Sequence, residues 1–286
     1  MSVESRSPTR LALRRFRRNG RAMACLVLLA VVGLSTLVVP WVSPHDFRVQ
    51  ALEDAKTAPS ARYWMGTDTN GRDLMVRSFM GGRVSFAVGL LATGVSVLIG
   101  VAYGAVAGFL RGRVDAVMMR FVDVLYGLPH IFLVILAMDY FGRSFIVVFA
   151  ALGAFSWMTT ARIVRGQVLS LREKEFVEAA RALGAPGGTL VVRHMIPNVL
   201  GPVVVYATLT VPSVMLQEAF LSFLGLGISE PFTSWGVLIN EGANVLNPVR
   251  VYWWLIVFPG GLLAATLFCL NAVGDGLRDA FDVQQR

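Results

Sequence analysis

Long apolar runs separated by short polar ones dominate the chain, and charge is confined almost wholly to the gaps between them. A helix needs about 20 mostly apolar residues to cross roughly 30 Å of hydrocarbon. Six stretches are long enough: 22–42, 83–110, 116–140, 144–165, 199–222 and 252–274. Only Leu110-Arg111-Gly112-Arg113-Val114-Asp115 parts the second from the third, and Phe141-Gly142-Arg143 the third from the fourth. Connections this short join antiparallel neighbours. The pattern predicts an all-α, polytopic membrane helical bundle of six transmembrane helices.

Within the runs, a few residues mark how helices meet. Gly100, Gly104 and Gly108 recur every fourth position in the second run, a face that lets another helix backbone approach closely. Packing is the first use of such a face and lining a pore the alternative. Pro129, Pro212 and Pro259 fall inside runs, where each removes a backbone donor and can kink the helix.

One polar stretch, 166–197, is far longer than a connection requires. From Leu171 to Gly184 it is built of strong helix formers, with Phe176, Ala179, Ala180 and Leu183 on one face. Gly184 stands where a helix C-terminus favours positive φ. Pro186-Gly187-Gly188 makes a turn, and Leu190–Met195 forms a second short helix that Pro197 stops. The expected product is a helix-turn-helix knuckle outside the membrane. A linker lying on the headgroups is the plainer alternative, but small alanines on the apolar face favour a groove on a partner.

Composition agrees with a lipid-dissolved chain. Apolar residues make up 55% and charged residues 15%, for a mean hydropathy of +0.63. Soluble domains carry about a quarter charged residues, so one or two cytosolic domains are excluded. High hydrophobicity excludes disorder. Cys25 and Cys269 sit inside apolar runs and read as small buried hydrophobes, with no disulfide framework.

Charge sets the orientation. Residues 1–22 hold seven arginines against the single acid Glu4 and run straight into the first apolar stretch. That stretch is longer than a signal-peptide core, which spans about 7–15 residues, and lacks a small-x-small cleavage site, so it reads as a retained span. With the N-terminus inside, the inner segments carry sixteen lysines and arginines and the outer ones seven. Both termini are therefore expected in the cytoplasm. The expected organisation is a basic cytoplasmic tail at 1–21, a first transmembrane helix at 22–42 and an extracytoplasmic segment at 43–82. A five-helix core follows at 83–275, with the cytoplasmic loop at 166–197 and a tail at 276–286.

Chemistry-bearing patterns are few. His45, His130 and His194 are scattered without metal-ligand spacing. No G-x-S-x-G and no G-x-x-x-x-G-K-[ST] occurs, and the only lysines are Lys56 and Lys174. No catalytic residue and no metal site are assigned. Arg120 and Asp123, three apart, are expected to pair. Asp139 and Glu218 fall near expected outer helix ends, solvated or in contact with a substrate. Asp68, Arg72 and Asp73 are expected to bond to each other and fix a turn.

Glu178-Ala179-Ala180, Leu183-Gly184, Arg193-His194 and Pro197-Asn198 resemble the EAA loop of permease subunits of ABC importers. Gly66-Thr67-Asp68-Thr69-Asn70-Gly71-Arg72-Asp73 with Gly82-Arg83-Val84-Ser85 narrows the resemblance to the dipeptide/oligopeptide/nickel group. So do Leu221-Ser222-Phe223-Leu224-Gly225-Leu226-Gly227 with Ser234-Trp235-Gly236, and Phe258-Pro259-Gly260 with Asn271 and Gly274-Asp275-Gly276-Leu277-Arg278-Asp279. The extra first span fits the C-type member of the permease pair. The resemblance implies a MetI-like fold in a bacterial cytoplasmic (inner) membrane. It implies a coupling loop of Glu178, Ala179, Ala180, Arg181, Leu183, Gly184, His194 and Pro197, and an extracytoplasmic motif of Gly66, Thr67, Asp68, Gly71, Arg72 and Asp73. The partners it implies are a homologous second permease, two ATPase subunits holding ATP and Mg, an extracytoplasmic substrate-binding protein and membrane lipid, with no nucleic acid and no cofactor on this chain. The expected cargo is di- or oligopeptides, with nickel chelates, glutathione or another small solute as alternatives. An ion-coupled secondary transporter is the rival class, but no inverted repeat is evident.

Overall fold

The computed structural model of the chain describes residues 8–228, 232–247 and 250–281. The outermost parts of both expected tails, 1–7 and 282–286, lie outside these residues. Eleven α-helices run along the described chain: α1 Pro8–Arg18, α2 Gly20–Val42, α3 Leu74–Leu110, α4 Gly112–Tyr126, α5 His130–Phe141, α6 Phe145–Leu171, α7 Glu175–Ala182, α8 Gly187–Thr189, α9 Ile196–Phe223, α10 Trp235–Asn244 and α11 Trp254–Phe281. Five helical stretches are long and apolar enough to cross a membrane, and the α4–α5 pair makes a sixth if it counts as one bent span.

Local chemistry sets the helix starts. The Asn19 side chain accepts from the Ala22 amide at 3.2 Å to open α2, and Asp73 accepts from Met75 and Val76 at 2.8 and 3.3 Å to open α3. With that cap, α3 begins nine residues before the expected span and runs for 37 residues, about 55 Å at 1.5 Å per residue. The basic tail is helical in α1, whose Ala12 and Phe16 pack with Ala280 at the end of α11.

The core forms where α3 and α6 meet. In lipid, helices gain no hydrophobic free energy by associating, so close backbone approach supplies the contact. A Cβ on Gly100 would stand 2.6 Å from the Thr160 Cβ, and one on Gly108 2.9 Å from the Arg165 carbonyl oxygen. Gly104 faces the Ala161 carbonyl, and Gly153 of α6 returns the contact against Ala92. Of the two uses open to this glycine face, the structure shows packing. Next to it, α9 crosses α3 and α6, α11 packs on α2 and α9, and α10 wedges between α9 and α11. Cys25 on α2 and Cys269 on α11 are buried and free.

The kink expected at Pro129 is a full break, whereas the stop expected at Pro197 does not occur. The third span is not one helix: α4 and α5 meet at 80° across Gly127-Leu128-Pro129. Pro129 has no N–H to donate and Leu128 turns its own amide back to the Leu125 carbonyl at 3.2 Å, so the ladder ends there. Pro197, by contrast, stops nothing. Leu190–Met195 is a π-helical segment that continues directly into α9. Its wider turn, with the Ile196 amide on the Val191 carbonyl, relieves the clash a proline ring makes with the carbonyl four residues back.

Gly104→Val is expected to push α3 and α6 apart, costing about 1–3 kcal/mol as overpacking does. A drop of several degrees in the unfolding midpoint of the detergent-solubilised protein, absent for Gly94→Val at an open position, checks this.

Candidate functional site

Two clusters of side chains, one at each end of the bundle, answer to the motifs in the sequence. The first is the knuckle. α7 ends in a paired C-cap: the Ala185 amide donates to the Ala180 carbonyl at 3.1 Å and Gly184 to Arg181 at 3.0 Å. Gly184 adopts φ +85°, which a side chain rarely tolerates. One side of α7 is anchored, with Val177 fully buried among Val168, Met195 and Val199. The other side is open. Glu178, Ala179 and Arg181 are exposed, Phe176 is 43% exposed, and Leu183 stands 89% exposed. Val192 of the π segment is 66% exposed as well.

The knuckle is tied to the core at its base. Arg172 donates to the Phe109 carbonyl at the end of α3 and lies over the Phe109 ring. Arg111 pairs with Glu173 at 2.5 Å. Burial, then the neighbouring guanidinium groups of Arg111 and Arg181, pulls the Arg172 pKa below the usual arginine value. His194 is half-buried, and its carbonyl accepts from the Asn198 side chain at 2.6 Å. Pro197 is exposed in the first turn of the following helix. The structure thus gathers Glu178, Ala179, Ala180, Arg181, Leu183 and Gly184 on one projection, with His194 and Pro197 on the element that supports it.

The second cluster lies at the opposite end of α3. Gly66 and Gly71 take φ +77° and +75°. A Cβ on Gly66 would meet the Thr57 carbonyl oxygen at 2.6 Å and the Trp254 ring at 2.9 Å. Between them Asp68 accepts from the Asn70 and Arg72 amides, both at 2.8 Å, and from Arg72 Nε at 2.6 Å. Asp73 takes His45 Nδ1 at 2.8 Å while it caps α3. Arg72 therefore bonds Asp68 as expected, but Asp73 turns to His45 and the helix.

The larger partner was not visible in the sequence. Arg77, 3% exposed, donates to Asp68 and forms a two-armed pair with Glu241 of α10 at 2.6 and 2.9 Å. Bonds across 164 residues leave no local signal.

Two charge expectations change. Asp123 pairs not with Arg120 but with Arg162 of α6 at 2.6 Å, and Arg120 is exposed. Helix spacing allowed the first pair; the packing of α4 beside α6 brought a second guanidinium within reach of Asp123. Glu218 is not at a wet helix end but fully buried, accepting from Ser222 at 2.7 Å and from Ser85 at 3.2 Å. The helix α10, absent from the expected spans, covers it. Asp139 is exposed near Arg143, whose guanidinium donates to the Gly225 carbonyl at 3.0 Å. Among the described residues, no three His, Cys, Asp or Glu side chains are grouped to hold a metal ion.

A bundle of apolar helices with polar chemistry gathered at its two ends defines a multi-pass helical membrane protein. Residues 100–286 match the family described as "Binding-protein-dependent transport system inner membrane component". Residues 7–59 match the "N-terminal TM domain of oligopeptide transport permease C". The chain belongs to the family of inner-membrane components of binding-protein-dependent transport systems. It is 46% identical to the oligopeptide transport system permease protein OppC of Haemophilus influenzae, over 100% of this chain and 92% of that protein. With OppC of Escherichia coli K12 the identity is 47%, over 100% and 94%. With the dipeptide transport system permease protein DppC of Bacillus subtilis it is 42%, over 99% and 88%. In fold, the chain resembles a subunit of the MetNI methionine ABC transporter solved in inward-facing conformations, with a TM-score of 0.55 and 18% identity over 70% of this chain and 94% of that one. These relatives are permease subunits, not enzymes.

Arg77→Met is expected to leave Asp68 and Glu241 without their shared cation. Breaking a buried pair from one side costs about 3–5 kcal/mol. Faster proteolysis within 43–73 checks this, with partial recovery expected when Glu241→Gln is added, because Asp68 keeps Arg72 as its cation.

Proposed function

We propose that this chain is a transmembrane permease subunit of an ATP-driven importer of di- and oligopeptides. It pairs with a second, homologous permease to form the translocation pathway, and a substrate-binding protein delivers the peptide on the outer side. Full-length identity of 42–47% to permeases named for oligopeptide and dipeptide transport supports the cargo. The excess of lysine and arginine on the α1 and α7 side supports a cytoplasmic location for both termini and the knuckle.

The observation that carries the reading is the open face of α7. A leucine 89% exposed on a helix that is capped and anchored from below costs solvation unless another surface covers it. The helix is also preformed, so docking needs little ordering of the chain. In this reading Glu178, Ala179, Ala180, Arg181, Leu183 and Gly184 seat in a cleft of an ATPase subunit, with His194 and Pro197 supporting the seat. Two such ATPases bind ATP and Mg and do the hydrolysis. Their closure displaces the knuckle, and through Val177, Arg172 and Phe109 that displacement reaches α3, α6 and α9. The outer segment, clamped by Asp68, Arg77 and Glu241, presents a fixed surface to the binding protein.

Leu183→Asp changes an exposed side chain, where folding effects stay within about 0.5 kcal/mol. The variant is expected to insert and retain the second permease, yet lose the ATPase subunits on purification and at least tenfold of ATP-driven peptide uptake in proteoliposomes. Normal uptake by this variant would count against the reading.

A further inference from the structure

The surfaces of the spanning helices are not alike. The open face of α2 is wholly apolar, with Leu26, Val27, Val31, Leu34 and Leu37 all exposed, as a lipid-facing helix should be. Around the junction of α4 and α5 polar groups stand exposed among apolar ones such as Val124 and Leu128. Tyr126, Thr159 and Tyr206 are exposed, Ser213 stands beside them, and Thr210 and Gln217 are half-buried at the same place. Together with His130, and with apolar side chains such as Leu128, Phe155 and Leu209 between them, they border a concavity of about 330 Å³ between α4, α5, α6 and α9.

The backbone here is also open. Residues 126–130 are all exposed at the 80° break. Interrupted helical backbone at membrane depth is tolerated only where protein buries it or where it lines a water-filled cavity. Packing against another helix is a poor solution for this face. Where this chain packs helices tightly, it uses glycines against carbonyls, as between α3 and α6; this face presents two tyrosines and a glutamine. Water is the better neighbour.

We propose that this concavity lines the translocation pathway and that its hydroxyl and amide groups hold the main chain of a peptide in transit; this rests on the peptide-permease reading above. Charge is nearly absent from the lining. Arg162 at its border is neutralised by Asp123 at 2.6 Å and stacked 4.1 Å over the Tyr126 ring. The Tyr126 and Thr159 hydroxyls bond each other at 2.5 Å, and Thr210 donates to the Tyr206 carbonyl at 2.8 Å, which leaves each hydroxyl oxygen with acceptor capacity to spare. Gln217 adds an amide that both donates and accepts. Such groups match the N–H and C=O of any peptide, whatever its side chains. A cargo of varied sequence needs contacts that ignore sequence, and a lining without fixed charge provides them.

The test uses the whole importer, with its partner subunits, in proteoliposomes and with Cys25 and Cys269 replaced by alanine. Thr159→Cys and Tyr206→Cys are expected to react with a membrane-impermeant thiosulfonate at least tenfold faster than Leu34→Cys on α2. Tri-alanine under turnover should slow both reactions at least threefold, and its backbone-N-methylated analogue should not. The double variant Thr210→Val, Gln217→Leu should raise the transport KM for tri-alanine about tenfold while the binding protein's affinity is unchanged. Labelling as slow as Leu34→Cys, labelling indifferent to tri-alanine, or an unaltered KM each overturns the assignment. Uptake of tri-alanine by the unsubstituted importer is read first. Its absence overturns the peptide reading and the occupant named here together, whereas uptake with unreactive positions 159 and 206 overturns only this proposal.

Discussion

Everything in this molecule is arranged about the contact of α3 with α6. A bilayer offers no hydrophobic reward for bringing helices together, so association depends on dispersion contacts that fall off steeply with distance. Glycines at 100, 104, 108 and 153 let two backbones approach until carbonyl oxygens and β-carbons touch. Once that pair is fixed, α9 crosses it, and the pocket that receives Val177 of the knuckle forms from Ala105, Val164, Val168 and Val199. The projection outside the membrane is therefore positioned by the tightest joint inside it.

The two ends of the bundle use opposite solutions for their polar groups. At the Asp68 end, charges are buried and satisfied by one another, so the segment before α3 is bound to α3 and α10 together. At the α7 end, the charged and apolar side chains are left open on a rigid base. Buried and satisfied networks specify one geometry, whereas an open preformed surface leaves its partner to complete the interaction. One end suits a fixed surface and the other a joint.

What the sequence revealed follows from the range of the forces involved. The spans, the glycine repeat and the Gly184 cap arise from periods of three to five residues, and each can be read from neighbours. The start of α3 was missed because Arg72, Asp73 and Arg77 look like loop residues until Asp73 is seen to cap and Arg77 to be neutralised by Asp68 and Glu241. Arg162 displaced Arg120 as the partner of Asp123 for the same reason, tertiary packing overriding local spacing. The prolines acted in opposite senses, as expected at Pro129 and against expectation at Pro197. Pro129 follows Gly127-Leu128 and breaks the helix, while Pro197 follows a π turn that absorbs its ring. A single-residue rule does not contain its neighbours' backbone geometry.

The length of α3 has a mechanical meaning. Its first turns are gripped through Arg77 by Asp68 and Glu241, and its last through the Phe109 carbonyl by Arg172. Between these grips runs one uninterrupted rod of 37 residues, with no proline to act as a hinge. A rod of about 55 Å, tilted by roughly ten degrees about one grip, sweeps the other through about 10 Å. A modest rocking at one face of the membrane thus arrives at the far face as a stroke about the width of a helix.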